Sequence, residues 1–257
     1  MRYEIRAMSL GEILDTGFRL LRDHFGLLVG IGAVLYVPMA LLGAYVTPNA
    51  ARTDADVGML LGAGAMLLLY FLVVSPVAAA AITYAVGEVF VGRSTTISEC
   101  LRLGFAVLLP LAGTTLLLSL AVIVGFLLFI IPGIYLALSY LLAWQVMVLE
   151  KTFGLAAMRR SRDLMRGHLL RGFAVLFVSG LIVAVVGGVV QMLVGYIPVI
   201  GPVGAGLAQA VTWAYTHAVT VVLYFDIRCR KEGFEVEHLA RLVARTDAVT
   251  SAPAPAI

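Results

Sequence analysis

The sequence predicts an all-α polytopic membrane protein: six helices that cross the bilayer, with two or three amphipathic helices lying along one of its faces. Three observations predict it. The 257 residues are 61% hydrophobic and only 13% charged, with a mean hydropathy of +1.02. A soluble domain carries about 25% charged residues, and no soluble fold of this size hides so much apolar surface. The apolar residues fall into long uncharged runs, and the eighteen Lys and Arg are gathered between those runs on one side of the topology.

The first element is an amphipathic interfacial segment at 1–24. In SLGEILDTGFRLLRDHF, Leu10, Ile13, Leu14, Phe18, Leu20, Leu21 and Phe25 share one side at helical periodicity, and Glu12, Asp15, Arg19, Arg22 and Asp23 share the other. Ser9 with Glu12 has the spacing of a capping box, and Asp15 with Arg19 is an i,i+4 pair. A charged, periodic start of this kind is not the apolar core of a cleavable signal peptide, so none is expected.

The membrane domain is expected at 25–226. A spanning helix needs about 20 apolar residues. Phe25–Val46 is uncharged and gives one span, with Pro38 inside it. Val57–Gly87 is longer, so a bend near Pro76 is expected. Leu103–Leu149 is uncharged throughout and as one helix would be roughly 70 Å long, more than twice the ~30 Å hydrocarbon core. It must turn back, and Pro132–Gly133 suits the central positions of a type II turn. Gly172–Phe225 is broken at Ile197–Pro202. The spans are thus expected at about 25–46, 60–86, 105–130, 134–149, 172–196 and 204–225. A tail at 227–257 follows, with a short helix over Phe234–Arg245 and disorder from about 247.

Six spans place both termini on one face, and of the eighteen Lys and Arg only Arg52 then falls on the other. The positive-inside rule makes the basic face cytoplasmic and the protein a multi-pass plasma-membrane protein. Interfacial helices are expected at about 96–104 and 154–170. In the second of these, Ala157, Met158, Leu164, Met165 and Leu169 oppose Arg159, Arg160, Arg162, Asp163 and Arg166. TISECLRLGF (Thr96–Phe105) echoes SLGEILDTGF (Ser9–Phe18), which predicts a three-fold repeat of one interfacial helix plus one span hairpin over about 9–90, 96–150 and 154–226.

SLGEILDTGFRLLRDHFG, VLEKTFGLAAMRRSRDLMRGHLLRGF and LYFDIRCRKEGFE together resemble the bacterial membrane-domain family named after glycerophosphoryl diester phosphodiesterase. The likeness is carried by Ser9–Glu12 and Asp15, by Glu150, Ala157, Arg160, Ser161 and Gly167, and by Tyr224, Asp226, Arg228, Arg230, Glu232 and Gly233. The resemblance implies a membrane domain. The catalytic barrel of that family needs a His-Arg pair, a Glu-x-Asp and a second His around a divalent cation. This chain has no such set, so the resemblance carries a fold and a membrane address without an activity.

Candidate contacts for lipid headgroups or a partner are Arg159, Arg160, Arg162, Arg166, Arg171, Arg228 and Arg230. The basic segment fits a topology anchor, a docking surface for anionic headgroups or a protein, or a coupling helix of a transporter. Asp226, Arg228, Arg230 and Glu232 are expected to form an ion-pair set at headgroup level. In the last span Gln209, Trp213, Thr216 and Thr220 share a face, which suits interhelical hydrogen bonds or a polar path beside a cavity. Gly180, Ala184 and Gly188 form a small-residue seam suited to a close helix contact. His217 has no carboxylate at its depth and Cys100 and Cys229 lie far apart, so neither a metal site, a cofactor nor a disulfide framework is expected. No nucleophile–base pair marks an enzyme. No Asp, Glu, Lys or Arg lies inside a span, where coupled carriers keep one. The expectation is a non-enzymatic membrane module that associates with membrane lipids, anionic ones among them, or organises another membrane or cytoplasmic protein, with no nucleic-acid partner. The alternative is the membrane subunit of a transporter for a neutral or lipid-like substrate.

Overall fold

A computed structural model describes residues 6–50, 57–194 and 200–233 of the chain. Arg52, the turn at 197–199, the helix expected at Phe234–Arg245 and the terminal tail lie outside the described residues. Eleven helices make up the described part: α1 (Leu10–Asp23), α2 (Phe25–Ala50), α3 (Val57–Leu69), α4 (Ser75–Phe90), α5 (Ile97–Ala106), α6 (Leu108–Leu128), α7 (Ile130–Ser139), α8 (Ala143–Leu149), α9 (Gly154–Met165), α10 (Leu169–Val194) and α11 (Ile200–Glu232). The protein is all-α, and its apolar helices make it a multi-spanning membrane protein. Among the described residues five segments are long and apolar enough to cross a bilayer: Phe25–Val46, Val57–Phe90, Leu108–Leu128, Ile130–Leu149 and Leu169–Val190.

α11 is the hub. It packs against α2, α10, α1 and α4, and all of Ala218–Ile227 is buried. Small residues let the backbones meet. A Cβ on Gly32 of α2 would stand 2.8 Å from the Cβ of Ala210, and one on Gly206 would stand 2.7 Å from the Cα of Val37. α4 is the second inner helix, its Pro76–Thr83 stretch buried throughout. α3, by contrast, has no buried residue.

The second crossing is one rod with a defect. Tyr70–Val74 forms a wide π turn in which the Ser75 N–H bonds to the Tyr70 carbonyl five residues back. Pro76 follows at once, and a proline cannot donate to the preceding turn and crowds it. The defect therefore sits where the sequence places a bend. Pro38 leaves α2 helical.

Between α6 and α7 the chain turns at Phe129, three residues before the Pro132–Gly133 motif expected to make the turn. Phe129 alone is extended (φ −163°, ψ 157°), and Pro132 and Gly133 sit in the first turn of α7. A proline's missing N–H costs nothing there, because first-turn donors lack an intrahelical partner. Gly133 serves the close approach of the hairpin: a Cβ would lie 2.4 Å from the Phe126 ring. The fourth crossing then breaks at Tyr140–Leu142, between α7 and α8.

α1, α5 and α9 gather at the end of the bundle where α11 terminates. α1 and α5 start in the same way. The Ser9 hydroxyl accepts the Glu12 N–H (3.3 Å) and Glu12 accepts the Ser9 N–H (2.6 Å). Thr96 and Glu99 repeat this at 3.3 and 3.0 Å. The echoed glycines also do the same work. A Cβ on Gly17 would meet the Val219 side chain at 2.6 Å, and one on Gly104 the Val77 carbonyl at 2.8 Å. Ile13 and Cys100 are both fully buried, whereas Phe18 and Phe105 are both more than half exposed. Phe18 and Phe25, placed on the apolar side of the first segment, are both about half exposed.

α9 is shorter than the 154–170 expected. It stops at Met165, Arg166 is extended, and Gly167 turns the chain at φ +86°. Leu169 and Arg171 consequently belong to α10. At the other boundary, α11 continues as helix through Glu232, so 227–232 is no tail. Gly180, Ala184 and Gly188 are exposed on α10, and no neighbour approaches the two glycines. The small-residue seam therefore makes no close contact among the described residues.

Candidate functional site

The charged end contains two side-chain assemblies, built by α11 at its last two turns. The first is centred on Asp226, whose carboxylate is completely buried. It accepts the backbone N–H of Met8 (2.7 Å), Nε of Arg171 (2.7 Å) and Nε of Arg230 (3.1 Å). Both guanidiniums also donate to the Met8 carbonyl, Arg230 at 2.7 Å. Each arginine thus bridges the same two acceptors. The knot ties Met8, two residues before α1, to the start of α10 and the end of α11. A carboxylate this deep is tolerated because all its bonds are charge-assisted or come from a backbone donor.

The second assembly is a closed ring of five side chains. Arg160 grips Glu150 with two nitrogens, Nε at 2.9 Å and Nη2 at 3.0 Å. Its remaining nitrogen binds Glu232. Glu232 accepts Arg228 Nε (2.8 Å), Arg228 donates to the Tyr224 hydroxyl (3.3 Å), and that hydroxyl donates to Glu150 (2.8 Å). Two acids and two arginines make the ring neutral. Hydrogen bonds from Arg160 and then Arg228 outweigh burial and hold the Glu232 carboxyl below its ordinary range. Glu232 and Glu150 in turn push the Arg160 guanidinium up, further into its charged form.

α9 is fastened to the break in the fourth crossing. The Ser161 hydroxyl donates to the Ser139 carbonyl (3.0 Å), a group that the break between α7 and α8 leaves without a helical partner. Arg162 donates to the Tyr140 hydroxyl and lies over its ring. Lys231 donates to the Asp163 carbonyl. The buried face of α9 is Ala157, Met158, Ser161, Leu164 and Met165.

The seven arginines singled out in the sequence therefore divide. Arg160, Arg171, Arg228 and Arg230 are engaged in the two assemblies, and the set expected of Asp226, Arg228, Arg230 and Glu232 is divided between them. Arg162 is exposed but tied to Tyr140. Arg159 and Arg166 are exposed and make no ion pair among the described residues. Arg102 on α5 shares that state. The sequence did not single it out, although its place on the polar side of the echoed helix was the available signal.

The polar face of α11 meets a different neighbour at each level. Gln209 lines a groove of about 310 Å³ with Tyr36, Met39 and Ala40 of α2, Met66, Leu67 and Tyr70 of the second crossing, and Ala205 and Gly206. Trp213 stacks between the rings of Tyr36 (6.5 Å) and His217 (5.4 Å). Thr216 bonds back to the Thr212 carbonyl (2.9 Å). Thr220 accepts from Gln145 of α8 (2.9 Å). His217 Nδ1 is 3.0 Å from the Thr83 hydroxyl. The four residues therefore do not share one path. Thr83 and Gln145 were not singled out in the sequence, although both are polar residues inside uncharged runs. Among the described residues no three His, Cys, Asp or Glu come together as a metal site.

The ring lies almost wholly inside the stretch that decides the family. Residues 100–228 match the model of a domain of unknown function (DUF8558). The chain belongs to this family. The match begins in α5 and ends in α11, so it takes in Glu150, Arg160, Arg171, Tyr224, Asp226 and Arg228. The family match leaves out Met8 and Arg230, which complete the Asp226 knot, and Glu232, which closes the ring. No curated protein and no solved structure matches the chain.

Proposed function

We propose that this protein is a non-enzymatic membrane module that engages anionic lipids at its charged end. α11 is a sixth crossing in this reading. It is less apolar than the other five because protein rather than lipid covers it. The charged end faces the cytoplasm by the positive-inside rule. The observation that carries the proposal is the division of the arginines. The arginines engaged in the ring and the knot are spent within the fold. Arg102 on α5, Arg159 on α9 and Arg166 just past the end of α9 are left exposed, and the same two helices present bare Phe105 and Leu155. A guanidinium beside an exposed apolar side chain suits the boundary between headgroups and acyl chains. Each contributes about 1 kcal/mol at an anionic leaflet.

The residues that carry the resemblance to the membrane domain named after glycerophosphoryl diester phosphodiesterase include Glu150, Arg160, Tyr224, Arg228 and Glu232. That one set of side chains builds the ring supports kinship at the level of architecture. The broken fourth crossing favours a second reading, a transport subunit for a neutral or lipid-like substrate, since discontinuous helices build transporter sites.

Native mass spectrometry of the protein from mild detergent tests the proposal. Phosphatidylglycerol is expected to remain bound to the wild type, and retention is expected to fall in a variant carrying Arg102→Gln, Arg159→Gln and Arg166→Gln. Equal retention by both proteins refutes the headgroup role. Protein-dependent flux of a neutral solute in liposomes would favour the second reading.

A further inference from the structure

The groove between α2, the second crossing and α11 lies in the half of the bundle away from the charged end, inside the expected hydrocarbon layer. α1 docks on α11 at Val219 through Gly17, and Gly206 lies thirteen residues further along α11, against Val37. At about 1.5 Å per residue the groove is some 20 Å from the level of α1, within a hydrocarbon core of ~30 Å. Its volume of about 310 Å³ falls at the lower end of ligand sites, about 300–1,000 Å³. α3, which forms one wall, has no buried residue, so the groove is reached from the lipid side.

Two polar groups in this wall lack partners. The Tyr36 hydroxyl is buried with no hydrogen-bond partner. The Gln209 carboxamide is half-buried and makes no hydrogen bond among the described residues. An amide without a protein partner in a lipid-facing groove is costly to keep. No charged side chain lines the groove, so an ionised headgroup would find no counter-charge there. The π turn at Tyr70, which breaks the regular ladder of the wall, is a device frequent at functional sites.

We infer that the groove binds an uncharged long-chain lipid, whose hydroxyl or carbonyl oxygen hydrogen-bonds to the Gln209 carboxamide while its chain lies along Met66, Leu67 and Ala40. This deepens the lipid-engaging reading by naming a second, neutral class of lipid at a separate site.

The experiment adds dioleoylglycerol, a long-chain isoprenoid alcohol or phosphatidylglycerol to purified full-length protein and reads bound lipid by native mass spectrometry. Gln209→Leu removes the amide without charging the groove, and Ala40→Phe fills it. The wild type is expected to retain one neutral lipid. Gln209→Leu should weaken that retention about tenfold, in keeping with the loss of one buried hydrogen bond, and Ala40→Phe should abolish it. The alcohol and the diacylglycerol arms tell which oxygen-bearing chain is preferred. Phosphatidylglycerol retention should not respond to either variant, so a failure of the arginine site leaves this result standing. Unchanged neutral-lipid binding in both variants overturns the inference. So does conversion of a dimer to a monomer by Ala40→Phe, which would make the groove an interface between two copies.

Discussion

Replacing Asp226 with alanine should release α1 from the bundle. The carboxylate is fully buried and accepts Met8 N–H, Arg171 and Arg230. Removing one partner of a buried ion pair costs about 3–5 kcal/mol, because the other charge is left uncompensated. Here Arg171 is 22% exposed and Arg230 34% exposed, and both keep the Met8 carbonyl. Solvent and that carbonyl soften the loss, so the lower end applies, about 3 kcal/mol. This is on the order of a hundredfold in the ratio of folded to unfolded protein. Asp226→Asn keeps an acceptor for the Met8 N–H and should lose about half as much. Denaturant unfolding in detergent measures the total, and hydrogen exchange over residues 8–21 shows where it falls. Protection of α1 should drop in Asp226→Ala while that of α6 and α7 persists. A change below about 0.5 kcal/mol with α1 still protected would refute the claim that this carboxylate seats the helix.

Gly17→Ala and Gly104→Ala should each destabilise by about 1–3 kcal/mol, since the new Cβ meets Val219 or the Val77 carbonyl. Gly11→Ala, with open space around it, should be neutral or stabilising in the same unfolding assay. Glu150→Gln opens the five-membered ring and removes the bidentate partner of Arg160. The side chains there are 21–30% exposed, so a loss of about 1–2 kcal/mol is expected, with faster exchange in α9. Acid should act through Glu12 and Glu232. Arg6 and then Ser9 lower the Glu12 carboxyl to about 2, and Arg160 first and then Arg228 lower that of Glu232. A carboxylate depressed by folding adds stability above its unfolded value, about 4.3. That stability is lost as pH falls through the folded value. Thermal stability should therefore hold from pH 7 to 5 and decline from about pH 4 towards pH 2. A decline complete above pH 5 would exclude these two groups as its cause.

The helical bundle was legible because its signals are local. Length and apolarity mark the spans, and Ser or Thr followed by Glu marks the starts of α1 and α5. The Phe129 turn was misplaced by one motif because Pro-Gly suits a tight turn and a first helical turn alike, and the Phe126 ring over Gly133 settles between them. Arg160, Arg171, Arg228 and Arg230 were visible as charge, but their partners Glu150, Asp226 and Met8 are set by which helices meet at one end. Periodicity on one helix says nothing of that. The same limit explains the face of Gln209, Trp213, Thr216 and Thr220: one stripe in sequence, four different neighbours in space. Among the candidate positions, Gln209 reached a cavity because α3 leaves room beside α2, a fact no spacing encodes.

The helix on which everything rests is the last of the described helices to be made. Translation runs from the N-terminus, so α2 and α4 are inserted while residues 200–232 are still unmade. Until then Gly17 and Gly32 lack the α11 side chains, Val219 and Ala210, on which they close. The helices made before α11 can pair among themselves, as α4 does with α5 and α6 with α7, but the bundle closes only when residues 200–232 arrive. A nascent chain halted before that segment would expose its bare seams to the lipid and to whatever insertion factors attend it.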